Sequence, residues 1–506
     1  MSLRHRAARG GLHLGLGQAV AQACAFLRNV LLARIISPEN FGIAAAFAMT
    51  YALLDMMSQL APDVQLVQAA DGDRPEFQST AQAVQALRGV LLAVVLLLVA
   101  HPVARLFGAP QMAWAFATLA LLPLARGLVH LDLNRGQREM DFHVAVRAEV
   151  ASNLASLAAT LPLALWQRDA SAMLYLLLLQ AVVYVAASHW RAQRRYTWNW
   201  DRAVVRRILT FGWPLLVNGL LMYGIFQGDR VAIGAAPRLF AANRYTLADL
   251  GVYSAAFGLA MALFLLLSNV AGQLFLPLLA RAVKVPEEFC RRYDACCHSM
   301  TALAVVVVLP LIASATWTVR AVYGLRYSAG GAILAGLAAM FGLRLMRVPA
   351  TLAAMAYGDT RNAMWSNLAR SAALVGVVAA AAGNAPLAYL PLCGIAGEAV
   401  ALWVSAHQLH ERQGVSSVEL WRALPVVIAG TMLAAVLALL AGEGDLPRVL
   451  AVASASVAMT LGALLGVLPQ MYREWTALRT AFSWQRKGAL APSALPVTPA
   501  SAAPQG

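Results

Sequence analysis

The chain has 506 residues, of which 60% are hydrophobic and only 12% are charged. A soluble protein carries about twice that charged fraction, so the composition excludes an ordinary soluble protein and indicates a polytopic membrane protein. The formal net charge is +15. In a membrane protein, basic cytoplasmic loops explain most of such a charge, so it does not indicate a nucleic-acid partner.

Apolar runs bounded by turn or charge signals predict an all-α protein with about fourteen membrane-spanning helices. The first is predicted to be an uncleaved span rather than a signal peptide, because the apolar pattern continues past Arg28 to Ile36. The predicted spans are 12–34, 40–61, 81–100, 111–131, 144–166, 171–189, 209–229, 251–276, 298–319, 329–356, 363–382, 386–407, 422–441 and 447–468.

Lys and Arg are concentrated in alternate loops of this topology, most densely in WRAQRRYTWNWDRAVVRR (190–207). Since cytoplasmic loops carry the positive excess, both termini are predicted to be cytoplasmic. The tail 471–506 contains GALAPSALPVTPASAAPQG, a Pro- and Ala-rich composition that predicts disorder. The segment AAPRLFAANRYTLAD (235–249) is predicted to be a long external loop.

Several arginines lie inside the predicted spans, where a charge costs roughly 2.5–3.5 kcal/mol on insertion scales. They are Arg28, Arg88, Arg126, Arg344, Arg347 and Arg370. Arg88, Arg126 and Arg370 are near cytoplasmic ends and could extend to the interface. Arg28, Arg344 and Arg347 lie deeper in their spans and should face a watery cavity or a carboxylate.

Three pairs of segments recur in the same order and indicate an internal duplication of six spans. Because six is even, both copies insert in the same orientation, as parallel repeats. The pairs are FGIAAAF (41–47) with LGVYSAAF (250–257), SNLASLAA (152–159) with SNLARSAA (366–373), and QAVVYVAASH (180–189) with EAVALWVSAH (398–407). The predicted units are a first half, 1–200, a second half, 201–410, and two further spans in 411–470.

Several stretches resemble oligosaccharide flippases of the polysaccharide transporter group, within the multidrug/oligosaccharidyl-lipid/polysaccharide exporter superfamily. They are LLARIISPENFGIAAAF (31–47), LNRGQREMDF (133–142), ILTFGWPLLVNGLLMYGIFQGDRVAIG (208–234) and LGVYSAAFGLA (250–260). The resemblance implies N- and C-lobes of six helices around a central cavity. It also implies alternating-access transfer of a polyprenyl-pyrophosphate-linked oligosaccharide to the outer leaflet of a bacterial inner membrane, for surface polysaccharide synthesis.

The pyrophosphate of such a substrate is anionic, and the planar fork of an arginine binds phosphate oxygens. Arg344 and Arg347 are three residues apart and share a helix face, and Pro349 is expected to kink that helix. They are the first candidates for substrate binding, and Arg28, Arg126 and Arg370 are further candidates. The alternative, which does not exclude the first, is a buried ion pair with Glu398.

Coupling to a cation, H⁺ or Na⁺, needs a group whose charge changes within the membrane. Glu398 is the first candidate and Asp229 the second, and structural pairing is the alternative for both. The cysteines form no CxxC pair, so no metal site is predicted. Besides substrate and membrane lipids, a polysaccharide polymerase is an expected partner.

Three other functions remain as alternatives. A flippase for a lipid-linked peptidoglycan precursor would also have a cationic cavity. A multidrug–cation antiporter would need carboxylates rather than arginines there. A membrane-embedded glycosyl polymerase could use DGDR (71–74) as a metal site, but no sizeable external loop is predicted. The chain has no GxxxxGK[ST] motif and is predicted to be neither an enzyme nor dependent on a cofactor.

Overall fold

The computed structural model describes residues 3–57, 62–69, 71–139, 142–240, 243–441 and 446–468. Within these ranges all regular secondary structure is helical, which confirms the predicted all-α class. Most of the tail 471–506 was predicted to be disordered, and the whole of it lies outside the described residues. That expectation therefore stays a prediction.

Nineteen α-helices are found in the described part of the chain. In order they are α1 (Leu3–Ile35), α2 (Pro38–Met57), α3 (Pro62–Gln68), α4 (Pro75–Leu106), α5 (Ala113–Thr118), α6 (Leu121–Gly127), α7 (Asp132–Arg135), α8 (His143–Gln167), α9 (Ser171–Trp190), α10 (Arg202–Leu239), α11 (Leu247–Ala280), α12 (Pro286–Ala313), α13 (Ala315–Tyr323), α14 (Gly330–Ala356), α15 (Arg361–Ser371), α16 (Ala373–Ala382), α17 (Leu390–Gln413), α18 (Val418–Ala441) and α19 (Leu446–Val467). Short 3-10 turns cover Pro110–Met112, Gly136–Glu139, Leu325–Tyr327 and Leu387–Tyr389.

Eleven helical segments of the described chain are long and apolar enough to cross a membrane. The number rises to thirteen if each of two bent pairs is one span: 110–127 with 132–138, bent by 49°, and 202–213 with 218–239, bent by 43°. Helix α2 coincides with the second predicted span and is not among these. The polytopic class is therefore confirmed, and the count of fourteen stays a prediction.

Two predicted boundaries are wrong. The ninth span was predicted as 298–319, but α12 ends at Ala313, where the Ser314 hydroxyl donates to the Pro310 carbonyl at 2.6 Å and α13 begins anew. The predicted loop 235–249 is shorter, because α10 continues to Leu239 and Thr246 caps α11. In that cap Thr246 accepts from the amide of Asp249 at 3.1 Å, and the Asp249 carboxylate accepts in return.

The two most enclosed spans are α14 and α11, with 67% and 61% of their apolar windows buried. They pack against each other, and α14 also packs against α12 and α17. Helices α18 and α19 pack against α12 and are far less enclosed, with 22% and 28% buried. The candidate arginines of α14 therefore lie at the centre of the helix assembly. Helix α14 runs without interruption through Pro349, and the kink expected there stays a prediction.

Helices α2 and α11 meet backbone to backbone at two glycines. A Cβ on Gly42 would lie 2.0 Å from the Leu247 carbonyl oxygen, and a Cβ on Gly251 would lie 1.9 Å from the Pro38 carbonyl oxygen. Each glycine thus faces the carbonyl four residues before the other. Gly42 and Gly251 are also aligned in the predicted duplication, and a contact that repeats itself in this way is expected between two related halves. The duplication itself stays a prediction.

Contacts between connecting segments agree with the predicted sidedness. At the predicted cytoplasmic end, three ion pairs each join two segments assigned to that side. They are Arg194–Asp73 at 3.0 Å, Arg207–Asp71 at 2.9 Å and Arg412–Asp359 at 3.1 Å. Arg207 holds the pKa of the Asp71 carboxyl below its ordinary value by hydrogen bonding to it. Which end faces the cytoplasm is a prediction from the basic loops.

Two contacts join segments at the predicted outer end. The first connects the two halves, and the second lies within the second half. The Arg34 side chain donates to the carbonyl of Val322 at 2.7 Å and to that of Ala321. The amide of Arg244 donates to the side chain of Asn384 at 3.0 Å. Arg34 therefore ties α1 to the last turn of α13, where the carbonyl groups of a helix favour a cation.

Candidate functional site

Three arginines of the second half surround one carboxylate. Arg370 Nε lies 2.6 Å from Glu398 Oε1, Arg347 Nε lies 3.5 Å from Glu398 Oε2, and Arg344 Nε lies 3.8 Å from Glu398 Oε1. Helix α14 supplies Arg344 and Arg347, α15 supplies Arg370 and α17 supplies Glu398. Both α14 arginines thus lie within ion-pair distance of Glu398, the arrangement considered from sequence as the alternative to substrate binding. We call these four residues the arginine cluster.

Arg344 makes cation–π contacts with two aromatic rings. Its guanidinium carbon lies 4.7 Å from the ring centre of Phe226 on α10 and 4.7 Å from that of Phe264 on α11. Cation–π contacts of this kind stabilise a guanidinium by roughly 0.5–2 kcal/mol. Aromatic rings accept no conventional hydrogen bond in these contacts, so the N–H groups of Arg344 still need polar partners.

Arg347 and Arg370 are oriented by neutral acceptors as well. Arg347 donates to the Ser366 hydroxyl at 2.9 Å and to the Asn367 side chain at 3.4 Å, both on α15. Arg370 donates to the backbone carbonyl of Ile225 at 3.5 Å. Because its Nε contacts Glu398, Arg370 points into the protein, and the interpretation that it extends to the membrane interface is wrong.

The arginine cluster has more positive than negative charge. Three guanidinium groups face one carboxylate, and exposure is only 9% for Arg344, 6% for Arg347, 7% for Arg370 and zero for Glu398. Within the described chain, the buried Nη1 atoms of Arg344 and Arg370 have no hydrogen-bond partner. Buried surplus charge of this kind is costly unless another anion offsets it.

Arg28 lies apart from the arginine cluster, in the first half. It donates to the Gln180 side chain at 2.7 Å and to the Ser156 hydroxyl at 3.2 Å. The sequence analysis expected Arg28 to face either a watery cavity or a carboxylate. In the structure, both of its hydrogen-bond acceptors are neutral. Arg28 is 7% exposed, and its two acceptors are supplied by α8 and α9.

Arg126 also lies apart, beside a cavity of about 280 Å³ in the first half. Its guanidinium carbon is 5.7 Å from the ring centre of Tyr184. Arg88 lines the same cavity and forms an ion pair with Asp55 at 2.7 Å. The five arginines predicted to bind substrate are thus divided: three form the arginine cluster, and Arg28 and Arg126 occupy separate places.

Asp229, the second candidate for ion coupling, lies on α10, and its carboxylate interacts electrostatically with Arg370 of the arginine cluster. Its carboxylate accepts from the Tyr253 hydroxyl at 2.8 Å and from the backbone amide of Arg230 at 2.8 Å. The Arg230 guanidinium carbon lies 4.1 Å from the ring centre of Phe257. No group of three or more His, Cys, Asp or Glu side chains in the described chain could hold a metal ion.

The aligned repeat segments contain a correspondence that sequence reasoning missed. In the pairs quoted above, Gln180 aligns with Glu398, and Ser156 aligns with Arg370. The structure brings Gln180 and Ser156 together around Arg28, and brings Glu398 and Arg370 together. Comparing the two segments position by position would have found both polar centres, one neutral and one charged.

Solved structures with the same fold are membrane transporters. The lipid II flippase MurJ in an inward closed conformation aligns with a TM-score of 0.69 and 11% identity, over 90% of this chain and 98% of the other. An inward-facing multidrug resistance transporter of the MATE family aligns with a TM-score of 0.60 and 13% identity, over 78% and 96%. At these identities the likeness defines the fold class alone: a polytopic α-helical protein with the fold of flippases and multidrug transporters.

The chain belongs to the family described as polysaccharide biosynthesis protein, which it matches over residues 31–330. It is also 22% identical over 228 residues to an uncharacterized membrane protein in the cps region of Klebsiella pneumoniae. That alignment spans 44% of this chain and 46% of the relative. The match thus covers about half of each protein, and this chain is similar to the relative only within that part.

Proposed function

We propose that the protein transfers a polyprenyl-pyrophosphate-linked oligosaccharide from the cytoplasmic to the outer leaflet of a bacterial inner membrane by alternating access. The surplus positive charge of the arginine cluster carries this proposal. A pyrophosphate supplies the anion that would offset that charge, and arginine forks bind phosphate oxygens in two-point geometry. Both termini are proposed to be cytoplasmic, on the evidence of the basic loops.

The cluster fits substrate capture better than it fits purely structural pairing. A single carboxylate needs one guanidinium partner, and Arg370 Nε at 2.6 Å already provides it. Arg344, at 3.8 Å, contributes least to that pair and has an unpartnered Nη1 within the described chain. We therefore assign Arg344 as the first contact for pyrophosphate, with Glu398 keeping the three arginines in place.

The low exposure of the arginine cluster requires movement for substrate to reach it. Two of its helices contact helices that also touch the first half: α14 packs against α11, and α15 packs against α10. Separation of the halves would expose the cluster, and renewed closure would exclude water and strengthen its electrostatic contacts. Opening to one side at a time is the essential condition for alternating access.

Among pyrophosphate-linked substrates, an oligosaccharide unit is favoured over a peptidoglycan precursor by the family to which the chain belongs. The fold does not separate the two. A coupling cation would have to compete with three guanidinium groups for Glu398. Asp229 is therefore the better proposal for coupling to H⁺ or Na⁺, because its two described partners are a hydroxyl and an amide.

The test is transport of defined lipids by purified protein in liposomes. A polyprenyl pyrophosphate bearing an oligosaccharide, one bearing the peptidoglycan disaccharide-peptide, and a cationic drug are supplied on one side. Deletion of the gene should in parallel cause polyprenyl-linked oligosaccharide to accumulate, as measured by mass spectrometry. Transfer of the oligosaccharide lipid alone supports the proposal; transfer of the peptidoglycan lipid or the drug instead would overturn it, as would covalent extension of the glycan.

A further inference from the structure

A second polar site lies between the two halves of the molecule, and its lining includes no residue of the arginine cluster. It is a cavity of about 630 Å³ lined by α1, α8 and α9 of the first half and by α11 of the second. Its polar lining is dominated by carboxamides: Gln18, Gln22, Asn153, Gln180 and Asn269. Glu149 is an acidic side chain in its wall, and the described residues that line it include no lysine or arginine.

The inner wall of this cavity is organised by a line of hydrogen bonds. Arg28 donates to Gln180 Oε1 at 2.7 Å, Gln180 donates to Asn153 Oδ1 at 3.2 Å, and Asn153 donates to Glu149 Oε1 at 3.2 Å. Each carboxamide carries two N–H groups and two acceptor lone pairs. The line uses some of them and fixes the direction of the remainder, so the wall is arranged in advance for a ligand.

We propose that this cavity binds the sugar residues of the substrate nearest to the lipid, and that it selects neutral sugars. A sugar hydroxyl both donates and accepts, which matches a wall of carboxamides and one carboxylate. A phosphate or an acidic sugar does not match, because Glu149 would repel it and no lysine or arginine is among the described residues that line the cavity. This inference rests on the proposed function and adds to it the chemical class of the glycan.

The position of the site also explains how the sugar is released. Gln22 lies on α1 and Asn269 on α11, so the cavity is made by both halves and its width depends on their separation. A sugar held by both walls loses one set of contacts when the halves move apart. Binding therefore differs between the two conformations, which is what a ligand needs in order to respond to the cycle.

The first test measures binding of two lipids to the purified full chain: a polyprenyl pyrophosphate, and the same lipid carrying one neutral hexose. The wild type should bind the hexose lipid at least tenfold more tightly. Gln22→Ala with Asn269→Ala should remove that advantage, by roughly ten- to a hundredfold, because each lost carboxamide removes hydrogen bonds. Both side chains are exposed within the cavity, so the fold should persist. Asn218→Ala, an exposed carboxamide on α10 outside the cavity, is the matched control.

The second test measures selectivity. A lipid carrying a hexuronic acid in place of the hexose should bind more weakly to the wild type, and Glu149→Gln should reduce this discrimination. If Glu149 had only a structural role, Glu149→Gln would weaken the binding of both lipids equally. Equal wild-type affinity for the bare and hexose lipids, or a preference for the acidic sugar, would overturn the neutral-sugar site.

The third measurement separates this inference from the proposed function. A polyprenyl hexoside that lacks the pyrophosphate tests the cavity alone. If the bare pyrophosphate lipid fails to bind but the hexoside binds in a manner sensitive to Gln22→Ala with Asn269→Ala, the arginine assignment fails and the sugar site stands. If the bare lipid binds and the double variant alters neither sugar lipid, the sugar site fails alone.

Discussion

Arg344 offers a test of ligand binding that leaves the charge compensation of Glu398 intact. After Arg344→Ala, Arg347 and Arg370 still face that carboxylate. We therefore expect a near-normal unfolding midpoint, with substrate binding and transport reduced roughly ten- to a hundredfold by loss of a charge-assisted contact. Arg344→Lys should recover part of the activity, because an ammonium keeps the charge but not the planar fork.

The measurement for Arg344 pairs thermal unfolding of the purified protein with transport in liposomes. Arg206→Ala removes an exposed arginine from the predicted cytoplasmic end and is the control for net charge. If Arg344→Ala transports as well as the wild type, the arginine does not contact substrate. A large fall in stability would instead assign Arg344 to structural pairing.

Glu398 should be more important for stability than any one of its three partners. Glu398→Gln leaves three buried guanidinium groups around a neutral side chain, and an uncompensated buried charge typically costs about 3–5 kcal/mol. We expect low abundance in the membrane and a lowered unfolding midpoint. Arg370→Gln, which removes the nearest arginine, should partly restore both in the double variant, as a double-mutant cycle would measure. Normal stability of Glu398→Gln alone would contradict this account.

At the level of residues, a charged side chain in an apolar run correctly marked a buried polar site. The residues that contact that side chain were harder to predict. Arg344 and Arg347 stand out in the sequence because a charge in a span needs a reason, and Glu398 is one of few acids available. Arg370 was missed as the nearest partner because it is close to a span end. Phe226 and Phe264 were missed because aromatic residues are common in apolar helices and only packing brings them to an arginine.

The glycine contact between α2 and α11 makes a specific prediction about element packing. Gly251→Ala places a methyl group 1.9 Å from the Pro38 carbonyl oxygen, so the helices must separate. Overpacking of this kind costs roughly 1–3 kcal/mol. The unfolding midpoint should fall, and transport should fall with it.

Gly258 on the same helix provides a matched control, since a Cβ there would meet nothing within 4 Å. Gly258→Ala should leave packing unchanged and raise helix stability by up to about 1 kcal/mol. Unfolding midpoints of the two variants in the same detergent make the comparison. Equal behaviour of both variants would mean that the α2–α11 contact does not determine stability.

The apolar runs predicted where helices lie better than they predicted where a helix is interrupted. Helices α8, α9 and α14 begin and end within a residue or two of prediction, because each run is bounded by clear polar signals. The interruption between α5 and α6 was missed: the apolar run continues through residues 119 and 120. Hydrophobicity records which residues avoid water, whereas a bend arises from packing against neighbouring helices.

For the molecule as a whole, Arg34 is predicted to hold the outer end closed. It joins α1 of the first half to the carbonyl groups that end α13 of the second. Arg34→Ala should shift the population toward a conformation open at that end. Spin labels at Leu31→Cys and Trp317→Cys, in a background without the native cysteines, should then report longer distances. Arg326→Ala, an exposed arginine beyond α13, should leave the distances unchanged; an unchanged distribution in Arg34→Ala would contradict this role.

The whole-molecule architecture was predicted only in part, and for a physical reason. Parity of the spans and the basic loops predict which segments share a side, and the contacts Arg194–Asp73 and Arg244–Asn384 agree with that assignment. The meeting of α2 with α11 was not predicted, because apolar faces of similar composition do not specify their partners. Only the recurrence of Gly42 at Gly251 pointed toward it.

The glycine contact has a consequence for the balance between conformations. Where Gly42 and Gly251 meet, no side chain stands between the two helices. At this point of contact, bringing the helices together immobilises no side-chain rotamer, and a glycine has no apolar side chain to expose when they part. The glycine pair itself therefore adds little free energy to either conformation, and a difference of a few kcal/mol supplied elsewhere can reverse the populations. Such a nearly neutral contact would suit the opening and closing that the proposed transport cycle requires.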